Sequence, residues 1–164
     1  MTIPRGAARG CAAVAAALLF AAGCGYAVTT AGHGLPGGAA TAHVRPFENL
    51  SAEPELGAAV TAALRESLAR RGEAGSGAVL EGDVRATQPA PSAASGATWR
   101  IALTVRGRLL ADGKVVSEQT VRRETDYLAG LDALETEGRR AVALRRLASD
   151  AAEALVRAFE EAAR

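Results

Sequence analysis

The sequence predicts an α+β fold, a two-layer sandwich in which a four-stranded, mostly antiparallel sheet carries two helices on one face. Three observations lead to it. Residues 80–86 and 99–109 alternate apolar and polar side chains, as half-buried strands do. Residues 56–68 and 144–162 repeat apolar side chains every three or four positions, as helices do. The sequence ADGK at positions 111–114 is a hairpin turn. The predicted order is therefore β-α-β-β-β-α.

The first strand is predicted over Thr41–Phe47, and Pro46, which lacks an N–H, places it at a sheet edge or ends it. The first helix follows, with Ser51 as its predicted cap and Gly72 as its stop signal. Its apolar face is expected to consist of Leu56, Val60, Leu64 and Leu68.

The register of the hairpin can be predicted from the turn. A two-residue Asp-Gly loop would place Glu124 opposite Ile101, inside the core. A three-residue loop, Ala111–Gly113, pairs Leu110 with Lys114 and gives favourable pairs on both faces. We therefore predict the following opposed pairs: Leu109–Val115, Leu103–Val121, Arg106–Glu118, Arg100–Glu124 and Thr104–Thr120.

The last element is predicted as a long helix from about Leu131 to Ala163, which Gly138 could bend. Its apolar stripe is expected to comprise Leu144, Leu147, Ala151, Leu155, Ala158 and Ala162, with Phe159 beside it. The boundary between the last strand and this helix, over residues 123–135, is not defined by the pattern.

Length and composition are those of a single domain of ordinary size, since the chain has 164 residues. Only 4% are aromatic, so the core is expected to be built from Leu, Val and Ala with Trp99, Phe47 and Phe159. The net charge of +1 does not indicate nucleic-acid binding.

The N-terminus has the pattern of a bacterial lipoprotein signal. A basic segment with Arg5 and Arg9 precedes a twelve-residue uncharged run, which is too short to span a membrane. The run ends in Ala21-Ala22-Gly23-Cys24, which resembles the lipobox, where the cysteine is acylated and the peptide is cut before it. We predict a signal peptide at 1–23, the lipidated Cys24 and a Gly-rich tether at 24–40, and one domain at 41–164. The alternative is an ordinary signal peptide with a chance cysteine.

Catalytic and cofactor motifs are not found in the sequence. It has no nucleophile elbow, phosphate-binding loop, dinucleotide fingerprint or zinc-protease motif, and His33 and His43 are isolated. We expect no enzyme activity, no cofactor and no metal site.

Arginines on the outer face of the hairpin are the remaining candidates for a site. In the predicted register Arg100 and Arg106 have carboxylate partners, whereas Arg108 and Arg122 face Val116 and Ala102. A solvated face is the simpler interpretation. The alternative is contact with an anion such as a lipopolysaccharide phosphate, because a guanidinium binds phosphate bidentately. The candidate contacts are Arg100, Arg106, Arg108 and Arg122.

Six segments follow one another in an order that resembles one family: CGYAV, GHGLPGG, VRPFENLSAEPELGAAVTAALRESLARRG, AVLEGDV, WRIALTVRGRLL and DGKVV. The chain resembles the LPS-assembly lipoprotein LptE family, of the divergent kind found outside the enteric bacteria. The Phe47–Asn49 turn, followed by Glu53-Pro54 and the helix, is the most characteristic part.

The resemblance implies a non-enzymatic lipoprotein of the outer membrane. Such proteins sit in the lumen of the β-barrel translocon LptD as a plug and folding partner, and they bind lipopolysaccharide during its insertion into the outer leaflet. The family's fold, a sheet with two helices on one face, agrees with the pattern. A different periplasmic lipoprotein module, an activator of a cell-wall synthase or a secretion-pore subunit, is the alternative, because fold does not determine function.

Overall fold

A long hairpin forms one side of the sheet in the computed structural model, which describes residues 34–92 and 97–164. The two helices are α1, Leu56–Arg70, and α2, Ala133–Ala162. The strand segments are β1 Ala42–Val44, β2 Glu48–Asn49, β3 Ala78–Ala86, β4 Ala90–Pro91, β5 Thr98–Ala111 and β6 Lys114–Leu128. A 3-10 turn at Pro36–Gly38 precedes them. The α+β class predicted from the sequence is confirmed.

These strand segments occupy four rows of one mixed sheet. β1 and β2 lie end to end and pair parallel with β3. β3 and β4 both run antiparallel to β5 on one side, and β6 pairs antiparallel with β5 on the other. Helix α1 packs on β1 and β3, and α2 packs on β5, β6 and α1.

The first predicted strand, Thr41–Phe47, is in fact two short strands. β1 ends at Val44, two residues before Pro46, which cannot donate to a ladder. The N–H of Phe47 donates to the hydroxyl of Thr61 on α1, at 2.9 Å, instead of to a strand. The interruption therefore ties the edge of the sheet to the helix above it.

The predicted register of the hairpin is wrong by two residues. Asp112 and Gly113, with φ of 51° and 75°, form a two-residue turn that pairs Leu110 with Val115. A β-bulge between Leu109 and Leu110 then shifts the ladder, so that Leu109 lies opposite Ser117. Neither the two-residue nor the three-residue loop considered for the hairpin includes this bulge.

Apart from that of Val115, the predicted faces are correct, because side chains alternate with a period of two and the register error is two residues. Val105, rather than Leu103, lies opposite Val121, and Leu103 lies opposite Arg123. Ile101, Leu103, Val105 and Leu109 still face the core. Val115, which was expected inside, is 53% exposed because it lies on the turn side of the bulge.

The start of α1 also differs from the prediction. Ser51 does not cap the helix; its N–H and hydroxyl donate to Oδ1 of Asn49, at 3.1 and 2.7 Å. The helix begins at Leu56, and no side chain caps it. Its end is as predicted, since Gly72 adopts a φ of 73° directly after it.

Helix α2 is continuous, and Gly138 does not interrupt it. Its first turn is held reciprocally: the carboxylate of Asp132 accepts from the N–H of Glu135, and that of Glu135 accepts from the N–H of Leu131. These bonds set the boundary that the sequence pattern left open. Of the predicted stripe, Leu147, Ala151 and Leu155 are fully buried, whereas Ala162 is exposed.

The core lies between the sheet and the helices. Phe159 and Leu155 of α2 are fully buried in it, and Leu155 lies over Gly107 of β5. Leu35 and Ala39 are also buried in this core. The packed domain therefore includes residues 35–39, which the sequence pattern placed in the tether at 24–40.

Candidate anion-binding face

The face of the sheet opposite the helices is lined by charged side chains. On β5 the odd-numbered residues point into the core, so Arg100, Arg106 and Arg108 point outward. Acidic, basic and hydroxylic side chains of the neighbouring strands surround them. The residues concerned are Arg45, Glu81, Asp83, Arg85, Arg100, Thr104, Arg106, Arg108, Glu118, Thr120, Arg122, Glu124 and Asp126.

Arg108 has a carboxylate partner, contrary to the prediction. Its guanidinium lies 3.1 Å from Glu81 on β3, and Arg45 binds the other oxygen of the same carboxylate at 3.0 Å. Arg106 binds Glu118 as predicted, at 2.8 Å, although Glu118 lies diagonally across the ladder and not opposite it. Arg106 and Arg108 are thus each bound to a carboxylate, although Arg108 and Arg45 share the single negative charge of Glu81.

Arg100 forms the best-aligned ion pair of this face. Two of its nitrogens bind the two oxygens of Asp126, at 2.8 and 3.1 Å, while the predicted partner Glu124 is 4.0 Å away. The hydrogen bond from Arg100 lowers the pKa of Asp126, and the same bond raises the pKa of Arg100. Both groups therefore stay ionised at neutral pH.

Arg122 differs from the other three candidates. It lies opposite Thr104, its side chain is exposed, and within residues 34–92 and 97–164 no carboxylate oxygen lies within 4 Å of its guanidinium. It borders a groove of about 380 Å³ on the outer face. The groove is lined by Thr87, Gln88, Ala90, Pro91, Ser92, Arg100, Ala102, Arg122 and Glu124.

This groove can hold a small anion through the one free guanidinium, that of Arg122. The carboxylate of Glu124, which also lines the groove, would repel an anion with more than one negative charge. The structure therefore brings Arg122 and Arg100 together at one groove, and it does not include Arg106 or Arg108 there.

An apolar corner, which was not predicted from the sequence, lies where β6 meets α2. Leu128, Leu131 and Leu134 are exposed there, and Leu131 is fully exposed. The backbone around them is held in place, because the N–H of Gly130 donates to Thr136 at 2.9 Å. The sequence YLAGLDAL at 127–134 could have indicated this corner, because its leucines do not belong to the apolar face predicted for α2. Exposed apolar side chains that lie together are typical of surfaces where another molecule binds.

Other features of the candidate site can be stated only for the described part of the chain. Cys24 and His33 lie outside it. Among described residues, no cluster of His, Cys, Asp and Glu is arranged to bind a metal ion. No described helix combines the length and apolar character needed to span a bilayer.

Comparison with known proteins identifies the family. The family described as LptE, Lipopolysaccharide-assembly, matches residues 39–159. This range contains all six strand segments, helix α1, and helix α2 as far as Phe159. The chain belongs to the LptE family. No match was found among curated protein sequences.

Solved structures share the fold at low sequence identity. A lipoprotein from Caulobacter crescentus matches with a TM-score of 0.55 and 18% identity, covering 71% of this chain and 88% of that one. A PelC dodecamer from Paraburkholderia phytofirmans matches with a TM-score of 0.52 and 18% identity, covering 80% of this chain and 95% of that one. A minor lipoprotein from Acinetobacter baumannii matches with a TM-score of 0.50 and 15% identity, covering 74% of this chain and 92% of that one. At these identities the likeness concerns the fold.

Proposed function

We propose that this chain is a non-enzymatic lipoprotein of the outer membrane that assembles with the LptD β-barrel and takes part in inserting lipopolysaccharide into the outer leaflet. The observation that carries the proposal is the family match over residues 39–159. The apolar corner at Leu128, Leu131 and Leu134 supports a close partner, since such surfaces are normally covered.

The proposed anchor is Cys24, acylated after cleavage of residues 1–23. Two or three acyl chains suffice for stable membrane attachment. Replacing Cys24 with Ser should leave the protein uncleaved and unlabelled when cells are fed a clickable fatty acid. Labelling of the Cys24→Ser variant would contradict the proposed site.

The proposed lipopolysaccharide contact is Arg122 at the outer groove. A phosphate bound there would gain a charge-assisted hydrogen bond worth about 1.5–3 kcal/mol, so Arg122→Ala should weaken lipopolysaccharide binding by about tenfold or more. Arg106→Ala is the matched control, because Arg106 is already bound to Glu118 at 2.8 Å. Binding is measured by titration of the purified full chain with lipopolysaccharide. An equal effect of the two variants would contradict an anion contact at Arg122.

The second candidate function is that of a secretion-pore subunit. The matching PelC structure is a dodecamer, and it covers 80% of this chain. A ring assembly predicts a large homo-oligomer in membrane extracts, whereas the LptD partnership predicts a complex with one different β-barrel protein. The size and composition of the native complex distinguish the two.

A further inference from the structure

The β6 edge of the sheet is open over most of its length. At the opposite edge, the outward N–H of Ala42 is bound by the carbonyl of Glu73, at 2.7 Å. At the β6 edge, the 3-10 turn contacts the start of the strand, where a Cβ added at Gly37 would lie 3.2 Å from Val116. Over residues 117–128, β6 pairs with β5 alone in the described part of the chain. A long open edge is a template for another strand.

The backbone groups that point out of this edge can be identified. The N–H of Ala102 on β5 is bound by Thr87 on the β3 side, so even-numbered residues of β5 direct their backbone away from β6. Thr104 is one of these, and Arg122 lies opposite it. The even-numbered residues of β6 therefore direct their N–H and C=O groups to the open edge. The carbonyl of Arg122 accepts there from the side chain of Arg123, at 3.0 Å, a place that a strand N–H can take.

A groove of about 570 Å³ lies beside the second half of this edge. Tyr127 and Leu128 line it from β6, and Gly138, Val142 and Arg146 line it from α2. Among the described residues, none from β5 lines it, so the groove lies on the open side of β6. Its rim is apolar, because Leu128 and Val142 are exposed, and a Cβ added at Gly138 would meet no atom within 4 Å. Such a groove gives a side chain of an added strand a place to bind.

The charge that remains unpaired in this groove is positive. Its acidic residues, Asp126 and Glu135, are bound by Arg100 and Arg139, at 2.8 and 2.6 Å. Arg146 has no carboxylate oxygen within 4 Å in the described part of the chain. An occupant with an acidic side chain near Arg146 is therefore complementary to the groove.

We propose that an extended segment of the LptD-type barrel protein adds to β6 as a further strand, pairing with residues 118–128. An apolar side chain of this segment occupies the groove over Gly138, and an acidic one binds Arg146. The inference rests on the proposed function for the identity of the partner, and it adds the surface that the partner occupies.

The edge itself indicates a polypeptide as the occupant. Its N–H and C=O groups repeat at strand spacing, and another extended backbone offers the complementary row, which a lipopolysaccharide does not. In strand addition these backbone bonds provide affinity, and neighbouring pockets for side chains provide specificity. The edge ends at Leu128, which also belongs to the apolar corner. Edge, groove and corner thus form one continuous surface.

A proline on the open edge tests the backbone pairing. The N–H of Thr120 points away from β5, so Thr120→Pro removes a donor to the added strand and leaves the β5–β6 ladder complete. Thr120→Ala is the matched control, because it removes the side chain and keeps the N–H. The full chain, tagged at its C-terminus, is purified from envelopes in mild detergent, and the barrel recovered per chain is measured. Thr120→Pro should lower this recovery by about fivefold or more, and Thr120→Ala should leave it at the parent level.

The outcomes separate this inference from the proposed function. Thermal melts of the purified variants should match that of the parent chain, which shows that the proline leaves the fold intact. If the parent recovers the barrel and the two Thr120 variants recover equal amounts, the inference is overturned and the proposed function stands. A parent chain that recovers no barrel would overturn the proposed function and the inference with it.

Filling the groove is a second test, which does not depend on the proline. Gly138→Phe places a ring in the open space over the helix and should lower the recovery of the barrel by about fivefold. Gly138→Ala adds only a methyl group and should leave the recovery at the parent level. Recovery at the parent level with Gly138→Phe, or an equal loss with Gly138→Ala, would overturn the inference.

Discussion

The contact between Leu155 and Gly107 makes a specific prediction about the core. A Cβ added at Gly107 would lie 2.8 Å from Cδ2 of Leu155 and 3.4 Å from Cδ1 of Leu80. Gly107→Ala therefore overpacks this point, and we expect it to lower the free energy of unfolding by about 1–2 kcal/mol. Leu155 is fully buried, so Leu155→Ala leaves a cavity over the glycine and should cost about 4 kcal/mol.

The two substitutions should compensate each other. In the double variant the shortened side chain at position 155 no longer meets the new methyl group, which fills part of the cavity. The double variant should lose only about 3 kcal/mol, so the coupling free energy is about 2–3 kcal/mol. Urea denaturation of the full chain and the three variants, followed by circular dichroism, measures this cycle. A double variant within about 0.5 kcal/mol of the summed single losses would refute the packing of α2 on β5 at this contact.

Two further predictions concern the polar contacts of single side chains. The hydroxyl of Thr61 accepts from the N–H of Phe47 and donates to the carbonyl of Gly57, and both hydrogen bonds are buried. Thr61→Val should therefore lower the free energy of unfolding, measured by urea denaturation, by about 1–3 kcal/mol. Thr61→Ser keeps the hydroxyl and should lower it much less. An equal loss for both would contradict the role of the hydroxyl. The pKa of Asp126 is lower in the folded protein than in the unfolded chain, where it is about 4. The bond to Arg100 therefore stabilises the fold at pH values above about 4, and this stabilisation is lost as the pH falls through the folded-state pKa. Asp126→Asn should remove that acid-dependent loss in thermal melts at different pH, and an unchanged pH profile would contradict it.

The architecture could be predicted from the sequence because its long elements carry strong periodic patterns. The alternation over β5 and the apolar repeat of α1 place the core faces correctly, and Gly72 ends α1 as predicted. The register could not be predicted, because the β-bulge between Leu109 and Leu110 lies outside the turn sequence from which the register was inferred. The error of two residues changed the partners across the ladder and the position of Val115, whereas the other core residues of the hairpin kept their predicted face.

The placement of the candidate arginines, though not their partners, could be predicted for the same reason. Placing the arginines on the outer face required only the alternation, and that placement agrees with the structure. Pairing them required the neighbouring strand: Glu81, which binds Arg108, comes from β3, whose register with β5 the hairpin pattern does not determine. Arg122 remains without a carboxylate partner within the described residues, although it faces Thr104 and not Ala102.

Isolation of the native complex tests the central claim most directly. The full chain carrying an affinity tag at its C-terminus is extracted from envelopes in mild detergent, purified, and its partners are identified by mass spectrometry. The proposed function predicts a β-barrel protein of the LptD type, together with lipopolysaccharide, in the purified complex. Recovery of a cell-wall synthase or a secretion pore instead, with the LptD barrel folded and lipopolysaccharide export intact after depletion of this chain, would contradict it.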